Sequence, residues 1–400
     1  MLLNNISKQA LKVLNTDSFN YNDYWEYTDI KKVKKIFNHS NPINNDKQSQ
    51  SLDEFPSFGN IKNHILIFNN SKIKNNLLNS DIIVNNISSA FKNNQLNCKK
   101  TFNKIIPNNK NEFILSNTAY FKKGFFLYVN DNAIIDNPIQ INNIINSYSS
   151  NNLLNSRYLL HFGKNIKAQV IIKDCFMNNM NINNLIEINI DKNSSVDIVI
   201  DSEKKKNNQI MNLSANIKND SQLNIYAIDI SGELVRNNYY INLEYQNSTF
   251  NYSGISLLKA NNHIDNFVEI NHKNKNTFSA SNQKNILREN SKSIFYSKST
   301  IDKKSSNAEA QQNNKNMLLS KKATVHSNPQ LEIYNNDVKC SHGSTTGELD
   351  EDMLFYLRTR GLSLNKAKKM LLEGFLNEFI DSIGNNEATK NLKNKINDWL

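Results

Sequence analysis

Glycine and proline are scarce in this chain, 10 and 5 among 400 residues, which excludes a collagen-like repeat and glycine-rich linkers. Cysteine is scarcer still. Cys98, Cys175 and Cys340 are odd in number, far apart and without a Cys-x-x-Cys pair, so no disulfide framework is expected and a reducing, cytoplasmic setting fits. A run of about eighteen apolar residues is absent, and with it a membrane-spanning helix; the longest apolar patches resemble Gly124–Val129. Met1–Leu14 has no continuous apolar stretch of the kind a signal peptide needs. Also missing are His-Glu-x-x-His, zinc-finger spacing, Walker A, Gly-x-Gly-x-x-Gly and Gly-x-Ser-x-Gly.

Hydrophobic residues make up 38%, aromatics 9% and charged residues 21%, so much of the polarity comes from Asn, about a fifth of the chain. Those Asn are dispersed among Ile and Leu, which reads as drift toward Asn, Lys and Ile codons rather than a prion-like tract. The aromatic and aliphatic content argues against disorder. A net charge of +11 raises nucleic-acid binding, but the lysine runs, Lys31-Lys32-Val33-Lys34-Lys35 and Lys204–Lys206, are short and no reader motif accompanies them. Length alone predicts two or three domains unless one is an extended sheet or a solenoid.

Along the chain, residues 1–100 read as helix with polar interruptions. Leu2, Leu3, Ile6, Ala10, Val13 and Leu14 form one stripe, and Ile30, Val33, Ile36 and Phe37 a second. Pro42, Pro56 and Gly59 mark a loop or linker over 40–60. From 113 to about 345 the texture becomes short β-rich runs between Asn, Asp, Ser and Gly turns. Alternation is explicit in Ile186–Ile190 and Val196–Ile200. No helix-length pattern lies between them, so βαβ units are excluded and a sandwich, a barrel or a β-solenoid remains. No strict internal repeat is visible. After Gly347, Asp350 is a predicted N-cap, Gly361 a helix stop and Ser363 the cap of a longer helix. That helix carries Ala367, Leu371, Phe375, Phe379 and Ile383, broadened by Met370, Leu372, Leu376 and Ile380. Apolar on two sides, it needs two partners. The boundaries are 1–112 for an N-terminal helical region with linker, 113–347 for the β core and 348–400 for a C-terminal helical domain.

Chemistry-bearing residues are few. Cys340-Ser341-His342 brings two metal-capable side chains onto one face of a strand, roughly 6.5–7 Å apart at Cα. Two donors do not complete a metal or cluster site. His272 reads as a core histidine, and the tyrosines from Tyr239 to Tyr252 as core rather than a stacking platform for bases.

The same C-terminal residues resemble the SufD family of iron–sulfur cluster assembly proteins. The resemblance rests on Leu331–Gly343, Leu354–Gly361, Ala367 and Gly374-Phe375 at that family's spacing. Trp25-Glu26-Tyr27-Thr28 is similar to its N-terminal box, and Asn117–Phe121, Gly124 and Pro138-Ile139 to the start of its β region. Gly232, Arg236, Gly254, His272, Ser281 and Lys284 match central motifs. Ser156 before Arg157, and Tyr296-Ser297 after Phe295, depart from the pattern where Pro and Gly are expected. Ala323 stands where the SufB paralogue carries a sulfur-accepting cysteine, and a methyl cannot replace a thiolate nucleophile.

The resemblance implies a mainly β fold: a right-handed parallel β-helix flanked by N-terminal and C-terminal helical regions. It implies a non-catalytic scaffold subunit that pairs with a SufB-type paralogue through the β-helices and docks a SufC-type ATPase through the C-terminal helices. A transient iron–sulfur cluster forms at the SufB interface; no stably bound cofactor is expected and no flavin is assigned. His342 is the candidate metal or cluster-assembly residue and Cys340 a weaker one. The ATPase-facing residues are Leu354, Phe355, Tyr356, Arg358, Arg360, Gly361 and Phe375. The competing reading, a stand-alone β-solenoid carbohydrate-active enzyme, needs a groove of acids and bases or a Ser–His–Asp set on one face.

Overall fold

The computed structural model describes residues 2–16, 19, 24–38, 41–42, 63–68, 72–93, 95–106, 110–145, 152–176, 180–205, 207–384 and 387–400. The N-terminal elements are α1 (Leu2–Thr16), α2 (Ile30–Asn38), β1 (Asn41–Pro42), β2 (Asn63–Phe68), β3 (Lys72–Asn76) and β4 (Ile82–Asn86). They are followed by α3 (Ile87–Lys92), α4 (Leu96–Thr101) and α5 (Glu112–Tyr120). Strands then run without a helix between them: β5 (Phe125–Val129), β6 (Ile139–Ile145), β7 (Asn152–Phe162), β8 (Lys167–Phe176), β9 (Asn181–Ile190) and β10 (Ser195–Lys205). Next come β11 (Asn208–Ile217), β12 (Gln222–Ser231), β13 (Leu234–Leu243), β14 (Thr249–Leu258) and β15 (His263–His272). The last are β16 (Phe278–Leu287), β17 (Lys292–Ile301), β18 (Ala308–Leu318), β19 (Thr324–Ile333) and β20 (Val338–Gly347). The chain closes with α6 (Glu351–Thr359), α7 (Leu364–Ser382) and α8 (Glu387–Trp399).

Odd and even strands segregate into two sheets. One runs β19-β17-β15-β13-β11-β9-β7-β5-β4 and the other β20-β18-β16-β14-β12-β10-β8-β6-β2-β3. From β5 onward every pairing among the described strands is parallel, so each coil lays one strand on each sheet and the fold is a β-solenoid. The step between stacked partners drifts: Ser195, Gln222 and Thr249 follow at 27 residues, whereas Phe278 and Glu309 are 31 apart. A drifting period hides the repeat from sequence inspection.

Between the sheets lies one apolar core, including Phe125, Leu160, Val170, Ile188, Ile198 and Ile225. Burial of such rows is the main stabilising term for alternating strands. At one turn of each coil the backbone enters the left-handed region, at φ +63° for Asn132, +56° for Asn165, +60° for Asn193, +56° for Asp220, +60° for Asn247, +55° for Asn276 and +55° for Asn307. A glycine-poor chain uses Asn there, and once Asp, the residues that tolerate this region best after Gly. The amides also stack. Asn165 Nδ2 donates to Asn132 Oδ1 at 2.7 Å, and Asn276 Nδ2 donates to Asn247 Oδ1 at 3.2 Å. Part of the asparagine excess is thus structural rather than compositional drift.

The helical reading of residues 1–100 needs correction. β2, β3 and β4 occupy the middle of that stretch; β2 pairs with β6 and β4 with β5, so these segments extend the two sheets. Ile65 and Ile67 alternate into the solenoid core, and sheet edges supply hydrogen bonds that local propensity does not register. Pro42 lies in β1, a short pairing on β7; Pro56, Gly59 and the rest of the expected loop fall outside the described residues.

Each sheet is covered on its outer face. Trp25, Val33 and Phe37 pack on Leu153, Ile210 and Leu234, while Phe102 and Phe121 flank the guanidinium of Arg157. Under this cover lie two ion pairs sealed from solvent, Arg157–Glu187 and Arg236–Asp265. On the opposite sheet, Leu372, Leu376, Phe379 and Ile383 of α7 and Ile396 of α8 share one apolar cluster with Ile171, Val199, Ile228, Ile255 and Ile286. Most of the apolar surface of α7 is therefore covered within the chain, by the sheet and by α8, while Met370 stays exposed at 54%. It does not by itself require a second protein.

Candidate functional site at the open end of the solenoid

β19 and β20 are the terminal strands of their sheets. Each is bonded to one neighbour, β17 or β18, and its other edge faces outward. β20 is largely exposed, as are Ile333 and Tyr334 at 45% and 58%. Long bare strand edges recruit further strands unless something covers or blocks them. Near the middle of this end, Ser344 Oγ donates to Ser327 Oγ at 2.8 Å, linking the last strand of one sheet to that of the other.

Cys340 and His342 lie on one face of β20, as their spacing requires, but in unlike surroundings. Cys340 stacks on Ala310 and joins a small apolar cluster with Ile301, Ala308 and Val338. Burial pushes its thiol above the ordinary range, which disfavours the nucleophilic, metal-binding thiolate. His342 stacks on Gln312 and is exposed at the rim. Among the described residues no group of three or more His, Cys, Asp or Glu is arranged to hold a metal ion.

The N-terminal box reaches the same end, a placement not deducible from the sequence. Tyr27 stacks on His326 of β19 with ring centroids 4.1 Å apart, and Lys292 Nζ donates to the Tyr27 carbonyl at 2.7 Å. Thr28 Oγ1 donates to Asp265, the partner of Arg236, whose guanidinium lies 4.6 Å from the Trp25 ring. The Trp-x-Tyr-Thr residues thus clamp the last coils from outside.

The expected ATPase-facing residues divide. Phe355 and Tyr356 are 68% and 52% exposed on α6, with Met353, Leu364 and Met370 also uncovered nearby. Arg360 lies over the Tyr356 ring at 5.2 Å, and Gly361, at φ +90°, ends the helix. Arg358 is exposed. Leu354 is buried at 4%, and Phe375 is half-buried under the Lys284 ammonium at 5.6 Å, so both serve internal packing. The caps form as the sequence predicts: Asp350 accepts from Met353 N at 2.9 Å and Ser363 from Lys366 N at 3.5 Å.

A hydroxyl–imidazole–carboxylate line does occur elsewhere. His161 lies 3.0 Å from Thr101 Oγ1 and 3.1 Å from Asp191 Oδ2. Thr101 is buried, however, and its hydroxyl donates to Asn97 O at 2.8 Å, so the imidazole has no hydroxyl proton to take. No helix among the described residues is long and apolar enough to cross a membrane.

Comparison with known proteins agrees with this architecture. A family model described as "SUF system FeS cluster assembly, SufBD core domain" matches residues 143–375, and one described as "SufBD protein N-terminal region" matches residues 1–141. The iron–sulfur cluster assembly protein SufD of Escherichia coli is 30% identical over 154 residues, 38% of this chain and 36% of that protein. An iron–sulfur cluster assembly SufBD family protein of Synechocystis sp. is 30% identical over 167 residues, 41% of this chain and 36% of its own. SufD of Plasmodium berghei is 25% identical over 260 residues, 64% of this chain and 19% of that protein. The matched stretches thus span about a third or less of these relatives' lengths. With the two family models together covering most of the chain, this β-solenoid protein belongs to the SufBD family of the SUF iron–sulfur cluster assembly system, and within it is SufD-like.

Proposed function

We propose that this chain is a non-catalytic scaffold subunit of a SUF assembly complex. It pairs with a SufB-type paralogue through the bare edges of β19 and β20 and holds a SufC-type ATPase on the exposed face of α6. The observation that carries this reading is the open end of the solenoid, two terminal strands with His342 exposed on one of them. A second solenoid ending in similar strands continues both sheets by main-chain hydrogen bonds and brings its own donors beside His342. Iron and sulfide are cargo at that seam. A neutral imidazole suits iron, and the further ligands come from the partner. On α6, exposed aromatics flanked by Arg358 and Arg360 have the composition of a protein-binding surface.

Co-expression with SufB-type and SufC-type proteins, followed by affinity capture and anaerobic reconstitution, tests the reading. A ternary complex that develops cluster absorbance is expected. Failure of the SufB-type protein to co-purify, or turnover of acidic glycans by the chain alone, overturns it.

A further inference from the structure

The interior of the solenoid changes character before it reaches the open end. In one inward-facing row, Ile198, Ile225 and Tyr252 stack on successive strands, and the row continues as Ser281, Gln312 and His342. On the facing sheet, Val268 and Ile270 are followed in their rows by Ser297 and Ser299. Three branched or aromatic side chains thus give way to serine at one level, between sheets whose strand pairing continues unchanged. Stacked sheets keep a separation of about 10 Å, so these shorter side chains reach less far between the sheets than those of the preceding coil, while Phe295 takes the place of Asn266 in a neighbouring row of the core.

The polar atoms left there are incompletely satisfied. Gln312 Nε2 donates to Ser299 Oγ at 2.9 Å and to Gln330 O at 3.0 Å, which fixes the amide and spans the interior. Gln312 Oε1, Ser281 Oγ and Ser297 Oγ are buried and have no hydrogen-bond partner among the described residues. An unpartnered buried polar atom costs about 1–3 kcal/mol, so three on neighbouring strands, Ser281 on β16, Ser297 on β17 and Gln312 on β18, call for a common partner. The serine hydroxyls can donate or accept and the amide oxygen accepts; below His342 none of these row positions is charged. That combination suits a small neutral molecule that both donates and accepts.

We propose that the solenoid binds ordered water between β16, β17 and β18, in a chamber lined by Ser281, Ser297 and Gln312 and lying one to two strands inward from His342. Water meets the requirement for several polar partners in a confined polar space. The inference stands apart from the role given to His342.

Water-oxygen magnetic relaxation dispersion on the full-length chain counts slowly exchanging internal water. The Ser281→Val/Ser297→Val variant, which restores the aliphatic pattern of the preceding coils, is expected to lose part of that signal. An unchanged signal overturns the proposal. Should that variant not fold, Ser297→Ala decides by melting temperature. Removing a hydroxyl bonded to water lowers it, whereas removing an unsatisfied hydroxyl from a dry interior leaves it unchanged or raises it, and either of the latter results overturns the chamber.

Discussion

Mild acid should weaken this fold through His272, and the structure sets both the sign and the size of the effect. His272 is fully buried inside the solenoid, its Nδ1 2.8 Å from Thr277 Oγ1 and its Nε2 2.8 Å from Ser279 Oγ. The Thr277 hydroxyl donates to Asn274 O at 3.1 Å, so it can only accept from Nδ1–H, and Ser279 donates to Nε2. Both ring nitrogens are satisfied by the neutral imidazole, and burial pushes its pKa down from 6.5 to about 4. The unfolded chain takes up a proton near 6.5 that the native state refuses until about 4. Stability is therefore full above the unfolded value and is lost as pH falls through this window. At 1.36 kcal/mol per pH unit, lowering the pH from about 7.5 to about 5 costs about 2 kcal/mol from this residue alone. Urea unfolding at the two pH values measures the loss. His272→Gln retains a donor and an acceptor but cannot titrate, so its stability should fall by about 2 kcal/mol less over the same interval. Equal losses in the two proteins would refute the assignment of a neutral, buried His272.

Other substitutions probe the remaining surfaces. Asp265→Ala strands the buried Arg236 guanidinium and releases Thr28, so a destabilisation of about 3–5 kcal/mol and faster proteolysis within residues 1–38 are expected. Replacing exposed Phe355 with Asp should abolish co-purification of the SufC-type ATPase without moving the melting temperature; retained ATPase would place the docking surface elsewhere. This is a cleaner test than deleting residues 350–400, which would bare the apolar sheet face beneath α7 and α8. His342→Ala should assemble with the SufB-type partner in near-normal yield yet form little cluster, and undiminished cluster formation would leave the chain a scaffold only. Cys340→Ser should have the smaller effect, because that thiol is held in its protonated form.

Legibility followed the range of the interactions. The C-terminal helix boundaries could be read at Asp350, Gly361 and Ser363 because a cap is a contact between residues three or four apart. Strand alternation in Ile186–Ile190 and Val196–Ile200 was equally local. The strands within 63–86 were missed because they are completed by β5 and β6, tens of residues away. The repeat was missed because its step drifts from 27 to 31 residues. Asparagine misled in the opposite direction: a composition that reads as drift is, at Asn165, Asn193 and Asn276, the answer to a left-handed turn in a chain short of glycine.

The sequence by itself determined the class of fold, the absence of βαβ units, the family likeness and the shared face of Cys340 and His342. Those follow from periodicity and motif spacing, which are properties of neighbouring residues. The tertiary structure decided which of that pair is half-buried and which exposed, that most of the apolar surface of α7 is covered by its own chain, and that the Trp25–Thr28 box clamps the last coils. It also decided that three inward rows turn to serine at one level. Each of these depends on which residues a coil of varying length stacks upon, and that register is fixed only when the whole solenoid closes on its core.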